Sequence, residues 1–184
     1  TPMYEYHYQL LRIVDGDTIE INVELGFDMT LQRQKVRLYG LDTAESRTKD
    51  KVEDRVGEFT TAALRDWVSG HSATVLNSRE FDRGKYGRIL GDIEFYDTIG
   101  GSRKWSTLMR DSGLAVTNNW TKVQKSRYWH LMYERLYETG AIAYTRESVL
   151  AGSSSPEYEY HPDQFIWPTS EEIREIIDES ADKD

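Results

Sequence analysis

The sequence predicts an α+β fold in which five β-strands form a small Greek-key barrel with helices packed around it. Apolar and polar residues alternate in three successive segments near the start of the chain and in two later ones, which is the period-2 pattern of half-buried strands. After the third and fifth of these segments, apolar residues recur every three to four positions, as in amphipathic helices. Strand and helix patterns in this order fit an α+β barrel domain.

The first three strands are predicted to follow one another with short connections. Residues 4–13 alternate aromatic or aliphatic side chains with polar ones. Residues 18–27, TIEINVELGF, alternate again, so Leu25 is expected to face the same side as the three β-branched residues before it. Residues 30–42, TLQRQKVRLYGLD, carry further apolar positions, including Leu31. This succession predicts a meander.

The pattern changes at residues 49–70, KDKVEDRVGEFTTAALRDWVSG, where apolar residues take helical spacing and a glycine ends the segment. Two further strands are predicted at residues 73–81 and 88–96, joined by the turn-like DRGKYG. A short helix is predicted at residues 104–113 and a longer one at residues 123–140. The predicted helices would cover the barrel.

Composition separates the end of the chain from the rest. AGSSSP has the composition of a linker, and residues 146–184 hold 3 Lys and Arg against 11 Asp and Glu. We therefore expect a domain at residues 1–145, a linker at 146–156 and an acidic tail at 157–184 with a short helix capped by Ser170. We expect the tail to be a solvated extension; the alternatives are a docking segment or a strap packed on the domain.

The overall composition narrows the classes of function. The 184 residues suffice for one domain with a substantial core. The chain has no cysteine, which excludes disulfides and thiolate metal sites, and its 4 histidines are scattered, so a metal would have oxygen ligands. No apolar run approaches the roughly 20 residues of a membrane span, and no leader opens the chain. We expect no membrane association, and favour an intracellular or phage-encoded protein over a secreted one whose leader was removed.

Three clusters of chemically active residues lie near predicted strand ends. They are Asp15, Gly16 and Asp17 in RIVDGDTIEI; Arg37, Asp42, Thr43 and Glu45 in VRLYGLDTAE; and Lys85, Tyr86 and Arg88 in GKYGR. Each cluster alone has an ordinary explanation, as a turn or as solvated strand residues. Together they combine the oxygen ligands that Ca²⁺ prefers with the guanidinium groups that bind phosphate. This combination fits metal-assisted attack on a phosphodiester.

Four motifs in this order resemble the staphylococcal nuclease (thermonuclease) family. They are VDGDTIEI, VRLYGLDTAES, DRGKYGRILGDI and LMRDSGLAV. The similarity is collinear over about residues 13–115 and looser to residue 144. It implies a five-stranded OB-fold barrel with about three helices, one Ca²⁺ ion as cofactor, and hydrolysis of DNA and RNA phosphodiesters that leaves 3′-phosphate ends.

The resemblance also implies roles for individual residues. The metal ligands of the family, two carboxylates and one backbone carbonyl, fall on Asp17, Asp42 and Thr43. The arginines that contact the scissile phosphate and the glutamate that acts on the attacking water fall on Arg37, Arg88 and Glu45. The residues that hold a terminal phosphate and sugar fall on Lys85 and Tyr86. Asp15 is expected to cap its own turn instead.

The chain departs from the family pattern at a few positions. Ala44 stands where the family usually has proline, so the loop that carries Glu45 is expected to be less stiff. The connection between Asp17 and Arg37 is longer, which predicts a longer second hairpin. Trp120 is either a stacking surface for a base or a core residue.

Three hypotheses about function follow from these observations. The first is a metal-dependent endonuclease that acts on DNA, RNA or both, as a monomer without an obligate protein partner. The second is a non-catalytic OB-fold module that binds nucleic acid or protein. The third is a structural role in a larger assembly, which only the aromatic-rich acidic tail favours. The complete set of two carboxylates, two arginines and one glutamate favours the first.

Overall fold

The structure is a computed structural model that describes residues 4–68, 72–83, 87–96, 101–152 and 168–181. The five long strands are β1 (Tyr4–Asp15), β2 (Thr18–Gly26), β3 (Met29–Leu38), β5 (Ser72–Arg83) and β6 (Ile89–Tyr96). The three short strands are β4 (Leu41–Thr43), β7 (Ser102–Lys104) and β8 (Ala115–Thr117). The helices are α1 (Lys51–Val68), α2 (Trp105–Asp111), α3 (Lys122–Glu138), α4 (Arg146–Leu150) and α5 (Ser170–Ala181).

The five long strands pair in a closed ring. Antiparallel pairs join β1 to β2 and β5, β2 to β3, and β5 to β6. A parallel pair then closes the ring between β3 and β6, with Val36 opposite Ile89 and Leu38 opposite Gly91. The resulting order, β1-β2-β3-β6-β5, is that of an OB-fold barrel. The predicted fold class is therefore confirmed.

The core fills the barrel and the space between the barrel and the helices. The largest fully buried side chains include Trp105 of α2, Trp129 and Tyr133 of α3, and Phe59 of α1. In α1 the apolar residues at helical spacing are buried on one face, while charged residues take the other side. Burial of these large side chains provides most of the driving force that holds the helices on the barrel.

The β2–β3 hairpin extends beyond this core. Its outer residues Leu25 and Leu31 are 38% and 39% exposed, and Phe27 in the turn is 96% exposed. Leu25 therefore lies outside the core, because the strand alternation continues past the point where the barrel has an interior. The two strands of the hairpin have 9 and 10 residues.

Two helices lie near the end of the chain: α4, which the sequence did not predict, and α5, which contains the short helix expected in the tail. Helix α4 falls in the predicted linker, yet its Val149 is buried. Helix α5 packs on α3 through the buried Ile176, and Arg135 of α3 forms an ion pair with Glu172 of α5. The expectation of a solvated tail is therefore wrong for α5, whereas residues 153–167 lie outside the described residues. The domain boundaries remain a prediction.

The start of α5 also differs by one position from the prediction. The side chain of Glu172 accepts a hydrogen bond from the Thr169 N–H (3.1 Å), and the Thr169 hydroxyl accepts one from the Glu172 N–H (3.1 Å). This reciprocal arrangement is a capping box, so Thr169 caps the helix in place of the predicted Ser170. None of the helices in the described ranges is long and apolar enough to cross a membrane.

Candidate active site

The residues predicted to act on metal and phosphate meet at one end of the barrel. They line a cavity of about 790 Å³, whose wall includes Asp17, Arg37, Asp42, Thr43, Glu45 and Arg88. Strand β3 contributes the first arginine, β4 contributes the second aspartate and the threonine, and the start of β6 follows the second arginine. Lys85 and Tyr86 lie outside the described residues. The sequence motifs, far apart along the chain, thus converge on one cavity.

The Asp-Gly-Asp segment forms the turn between β1 and β2. Its central residue must be glycine, because the surrounding atoms leave no room for a side chain. A Cβ atom on Gly16 would lie 2.4 Å from Cγ2 of Thr60 in α1 and 3.1 Å from Oγ1 of Thr43. The indole N–H of the buried Trp105 donates a hydrogen bond to the Gly16 carbonyl at 3.0 Å. Helices α1 and α2 therefore close directly on this turn and fix the backbone that carries Asp17.

The Asp17 carboxylate is oriented by its neighbours on both sides. Oδ1 accepts a hydrogen bond from the Thr18 hydroxyl at 3.0 Å, and Oδ2 accepts one from the Thr43 N–H at 3.3 Å. Nη2 of Arg37 lies 3.4 Å from Oδ2. Thr18 pairs with Arg37 across β2 and β3, so the sheet register brings the first aspartate and the first arginine together.

Arg37 joins the two aspartates. Its Nη2 group forms an ion pair with Oδ1 of Asp42, while its Nη1 group donates to the carbonyl oxygens of Leu38 (3.0 Å) and Leu41 (2.6 Å). Asp42 is held opposite Val116 by the short pairing of β4 with β8. The guanidinium fork is therefore fixed by the tight turn between β3 and β4 and neutralises both carboxylates.

Lys125 of α3 is a second cation on Asp42. Its Nζ atom lies 3.2 Å from Oδ2 of Asp42, on the carboxylate oxygen that Arg37 does not occupy. The sequence did not single out this lysine.

The donor set fits one hard divalent cation. The described residues include no group of three or more His, Cys, Asp or Glu side chains suited to a metal. The two carboxylates that share Nη2 of Arg37 are those of Asp17 and Asp42. Beside them, the buried Oγ1 of Thr43 has no hydrogen-bond partner within the described residues. Two carboxylates with uncharged oxygen atoms and water suit Ca²⁺ better than metals that prefer thiolate or imidazole.

The loop that carries Glu45 is held against α1. The Glu45 N–H donates to Oε1 of Glu53 at 3.2 Å, and the hydroxyl of Ser46 donates to Oδ1 of Asp15 at 2.6 Å. A Cβ atom on Gly57 would lie 2.6 Å from the Glu45 carbonyl carbon and the Ser46 nitrogen. Asp15 thus fastens a distant loop, whereas the sequence predicted a local cap. These contacts restrain the loop in which Ala44 replaces proline.

Acidic residues at the start of α1 complete this wall. Burial raises the pKa of the Glu53 carboxyl; the charges of Glu45 and Asp50 add to the shift, while the Glu45 N–H and Lys125 oppose it. Asp50 caps α1 by accepting from two backbone N–H groups and lies 2.8 Å from Nε2 of His130. Burial would raise the pKa of Asp50, but the hydrogen bond and charge of His130, with the two N–H groups, hold it below its usual value.

The aromatic residues near the site belong mainly to the core. Trp120 is half-buried and meets Tyr128 edge to face, with ring centroids 5.5 Å apart and planes at 82°. Tyr128, Trp129 and Tyr133 are buried. Trp120 is therefore packed on the core, although part of its side chain faces solvent.

Comparisons with known proteins agree with the motifs. The sequence profile of the family described as "Staphylococcal nuclease homologue" matches residues 35–136. An Escherichia coli protein named "Uncharacterized endonuclease" is 28% identical over 134 residues, which are 68% of this chain and 78% of that protein. A protein of the same name from Escherichia coli O157:H7 matches to the same extent. An uncharacterized Bacillus anthracis protein is 35% identical over 85 residues, 46% of this chain and 37% of that protein.

Proposed function

The chain belongs to the family of staphylococcal nuclease homologues, and on that premise we propose that it is a Ca²⁺-dependent endonuclease that hydrolyses phosphodiester bonds of DNA, RNA or both. The observation that carries the proposal is the convergence of Asp17, Arg37 and Asp42 through direct ion pairs, in a cavity that Glu45 and Arg88 also line. The name of the Escherichia coli relatives supports a nuclease.

The arginines are proposed to bind and polarise the scissile phosphate. Arg37 and Arg88 line the cavity from the β3 and β6 sides, and a guanidinium fork can grip two phosphoryl oxygens at once. Hydrogen bonds and positive charge at these oxygens stabilise the negative charge that develops during attack.

Asp17, Asp42 and the carbonyl of Thr43 are the residues proposed to hold the metal. When bound there, Ca²⁺ would supply positive charge beside the phosphoryl oxygens. The two carboxylates already face each other across Arg37, and the Thr18 hydroxyl and Thr43 N–H orient the first of them.

Glu45 is proposed to orient and deprotonate the attacking water. Its side chain is exposed on the cavity wall, while its backbone is fastened to α1. An in-line attack expels the 5′ oxygen of the next nucleotide and leaves a 3′-phosphate. Lys85 and Tyr86 are proposed to bind the terminal phosphate and sugar. We further propose a monomer with its nuclease domain at residues 1–145, a linker at 146–156 and the acidic segment at 157–184.

The test is an assay of the purified protein on end-labelled single-stranded DNA and RNA, with Ca²⁺ and with an excess of chelator. Cleavage is expected only with the metal, and the new ends should accept a 3′ label only after phosphatase treatment. Asp42→Asn should abolish cleavage, while the matched control Asp66→Asn, an exposed position on α1, should retain it. Binding of nucleic acid by a folded protein without any cleavage would instead support the non-catalytic module.

A further inference from the structure

Lys125 occupies a position that the family resemblance did not assign. Its Nζ atom is 3.2 Å from Oδ2 of Asp42, and its side chain is 28% exposed on the cavity wall. The other oxygen of Asp42 is taken by Arg37. Both oxygens of a carboxylate that is proposed to bind metal therefore have a cation of the protein as their partner.

A divalent cation that binds Asp42 must displace at least one of these partners. Arg37 is fastened by two backbone carbonyls and by Asp17 as well. Lys125 carries its charge on a flexible four-carbon stem, and its ammonium makes a single ion pair within the described part of the chain. Lys125 is therefore the partner that can leave at lower cost.

We infer that Lys125 changes partners during substrate binding: it pairs with Asp42 in the metal-free protein and with a substrate phosphate once a metal ion occupies Asp42. The inference rests on the proposed function for the metal and for the phosphate. It follows from charge balance, because the displaced ammonium stays in a partly desolvated cavity and needs a new anionic partner. A phosphate held by Arg37 and Arg88 in the same cavity is that partner.

This exchange couples the two ligands. A metal ion on Asp42 releases Lys125 for the phosphate, and a phosphate that attracts Lys125 exposes Asp42 to the metal. Thermodynamic linkage requires the two effects to be equal in magnitude. Lys125 therefore makes Ca²⁺ and the polyanionic substrate bind cooperatively.

The chain offers a matched control. Lys122 lies one helical turn before Lys125 on α3, lines the same cavity and is exposed. Within the described residues it has no ion pair with Asp42. Replacing it removes the same charge from the same wall without touching the proposed exchange.

The experiment is a calorimetric titration of Ca²⁺ into the parent, Lys125→Met and Lys122→Met, with and without a nucleoside 3′,5′-bisphosphate. This probe offers two phosphates and no phosphodiester to hydrolyse. Without the probe, Lys125→Met should bind Ca²⁺ about two- to fivefold more tightly, as expected when a partly exposed ion pair no longer competes. The probe should lower the Kd of the parent for Ca²⁺. In Lys125→Met the factor by which the probe lowers this Kd should be about tenfold smaller. Lys122→Met should resemble the parent, and Lys125→Arg should keep most of the coupling.

Each contrary result has a distinct meaning. Unchanged Ca²⁺ affinity in Lys125→Met would show that the ion pair does not compete with the metal, and would overturn the inference. Tighter Ca²⁺ binding with full coupling to the probe would overturn the exchange of partners. A parent protein that binds no Ca²⁺ would reject the proposed cofactor itself, which the parent titration reveals before any variant is compared.

Discussion

Among the single residues of the site, Arg37 has the most restrictive surroundings. Its fork contacts two carbonyl oxygens and both aspartates, and its side chain is 16% exposed. Arg37→Lys keeps the charge but cannot make these contacts together, so kcat is expected to fall by about 10²-fold or more. Steady-state kinetics on a DNA oligonucleotide checks this, with Arg12→Lys on the exposed face of β1 as the control. Equal rates for Arg37→Lys and the parent would show that the fork is not needed.

Glu45 differs from Arg37 because its side chain is exposed and its backbone is fixed. Glu45→Gln preserves size and hydrogen bonding but cannot accept a proton. We expect kcat to fall by about 10²–10⁴-fold while substrate affinity changes little. Glu58→Gln, on the solvent side of α1, is the control. A loss of affinity with normal turnover would assign Glu45 to binding and not to chemistry.

The sequence predicted the charged residues of the β1–β2 turn, β3 and β4 better than those contributed by helices. Asp17, Arg37 and Asp42 stand in recognisable motifs and are joined by ion pairs in the structure. Lys125 meets Asp42 across 83 positions of the chain, and a lysine on an amphipathic helix is ordinarily a solvated residue. Only the packing of α3 on the barrel shows that it reaches the site. The sequence did not single out Glu53 either, because only the packing of α1 against the loop of Glu45 brings it to the site.

At the level of secondary structure, the sequence predicted the five long strands and helices α1, α2, α3 and α5, but not the three-residue strands or α4. The long strands and helices carry several repeats of their apolar pattern. Strands β4 and β8 have three residues each, too few to display alternation, yet their pairing fixes Asp42 and Thr43. A local signal could not have predicted this pairing, because the strands are separated by α1, β5, β6, β7 and α2.

Helix α1 acts on the site through Gly57. Gly57→Ala would stabilise an ordinary helix by about 0.5–1 kcal/mol, but here the new Cβ would meet backbone atoms of Glu45 and Ser46 at 2.6 Å. The loop must then move away from α1 and weaken its contact with Glu53. We expect kcat to fall by about tenfold or more with little change in KM, and Tm not to rise. Kinetics and thermal unfolding of Gly57→Ala, compared with Glu58→Ala, measure both. A more stable and fully active variant would refute the close approach.

The pair of Asp50 and His130 links α1 to α3 and makes stability depend on pH. The pKa of Asp50 is lower in the folded chain than in the unfolded chain. Its contribution to the free energy of unfolding is therefore complete above the unfolded pKa, about 3.9, and is lost as pH falls through the folded pKa.

The variant Asp50→Asn keeps the helix cap and removes the charge. We expect a loss of up to about 1 kcal/mol near pH 6 that is smaller near pH 3. Denaturant unfolding at both pH values measures this loss. Adding His130→Asn to Asp50→Asn should lower the free energy of unfolding little further, because the two residues act through the same contact. A loss that is constant with pH would contradict the ion pair.

At the scale of the whole molecule, α3 connects the site with the end of the chain. Lys125 on its first turns contacts Asp42, while the Gln124 side chain beside it donates to the Ile177 carbonyl of α5 at 3.4 Å. Arg135, near the other end of α3, pairs with Glu172. The acidic segment could be recognised from composition, but its docking could not, because three isoleucines in a short acidic helix do not by themselves show what they pack against. The net charge of −9 therefore says less about substrate binding than the local cations of the cavity do.

This arrangement changes what truncation is expected to do. A chain that ends at Gly152 lacks α5, so it exposes the α3 surface under Ile176 and leaves the partly buried Arg135 without Glu172. Burial of one isoleucine and its neighbours contributes about 2–3 kcal/mol, so Tm should fall by about 4–10 °C in a chain of this length. Scanning calorimetry of the truncated and full chains checks this. In the full chain, Ile176→Ala should reproduce part of the loss, whereas Ile177→Ala, at a position 38% exposed, should not. An unchanged Tm after truncation would contradict the packing of α5 on α3 and would support the solvated tail that composition alone predicted.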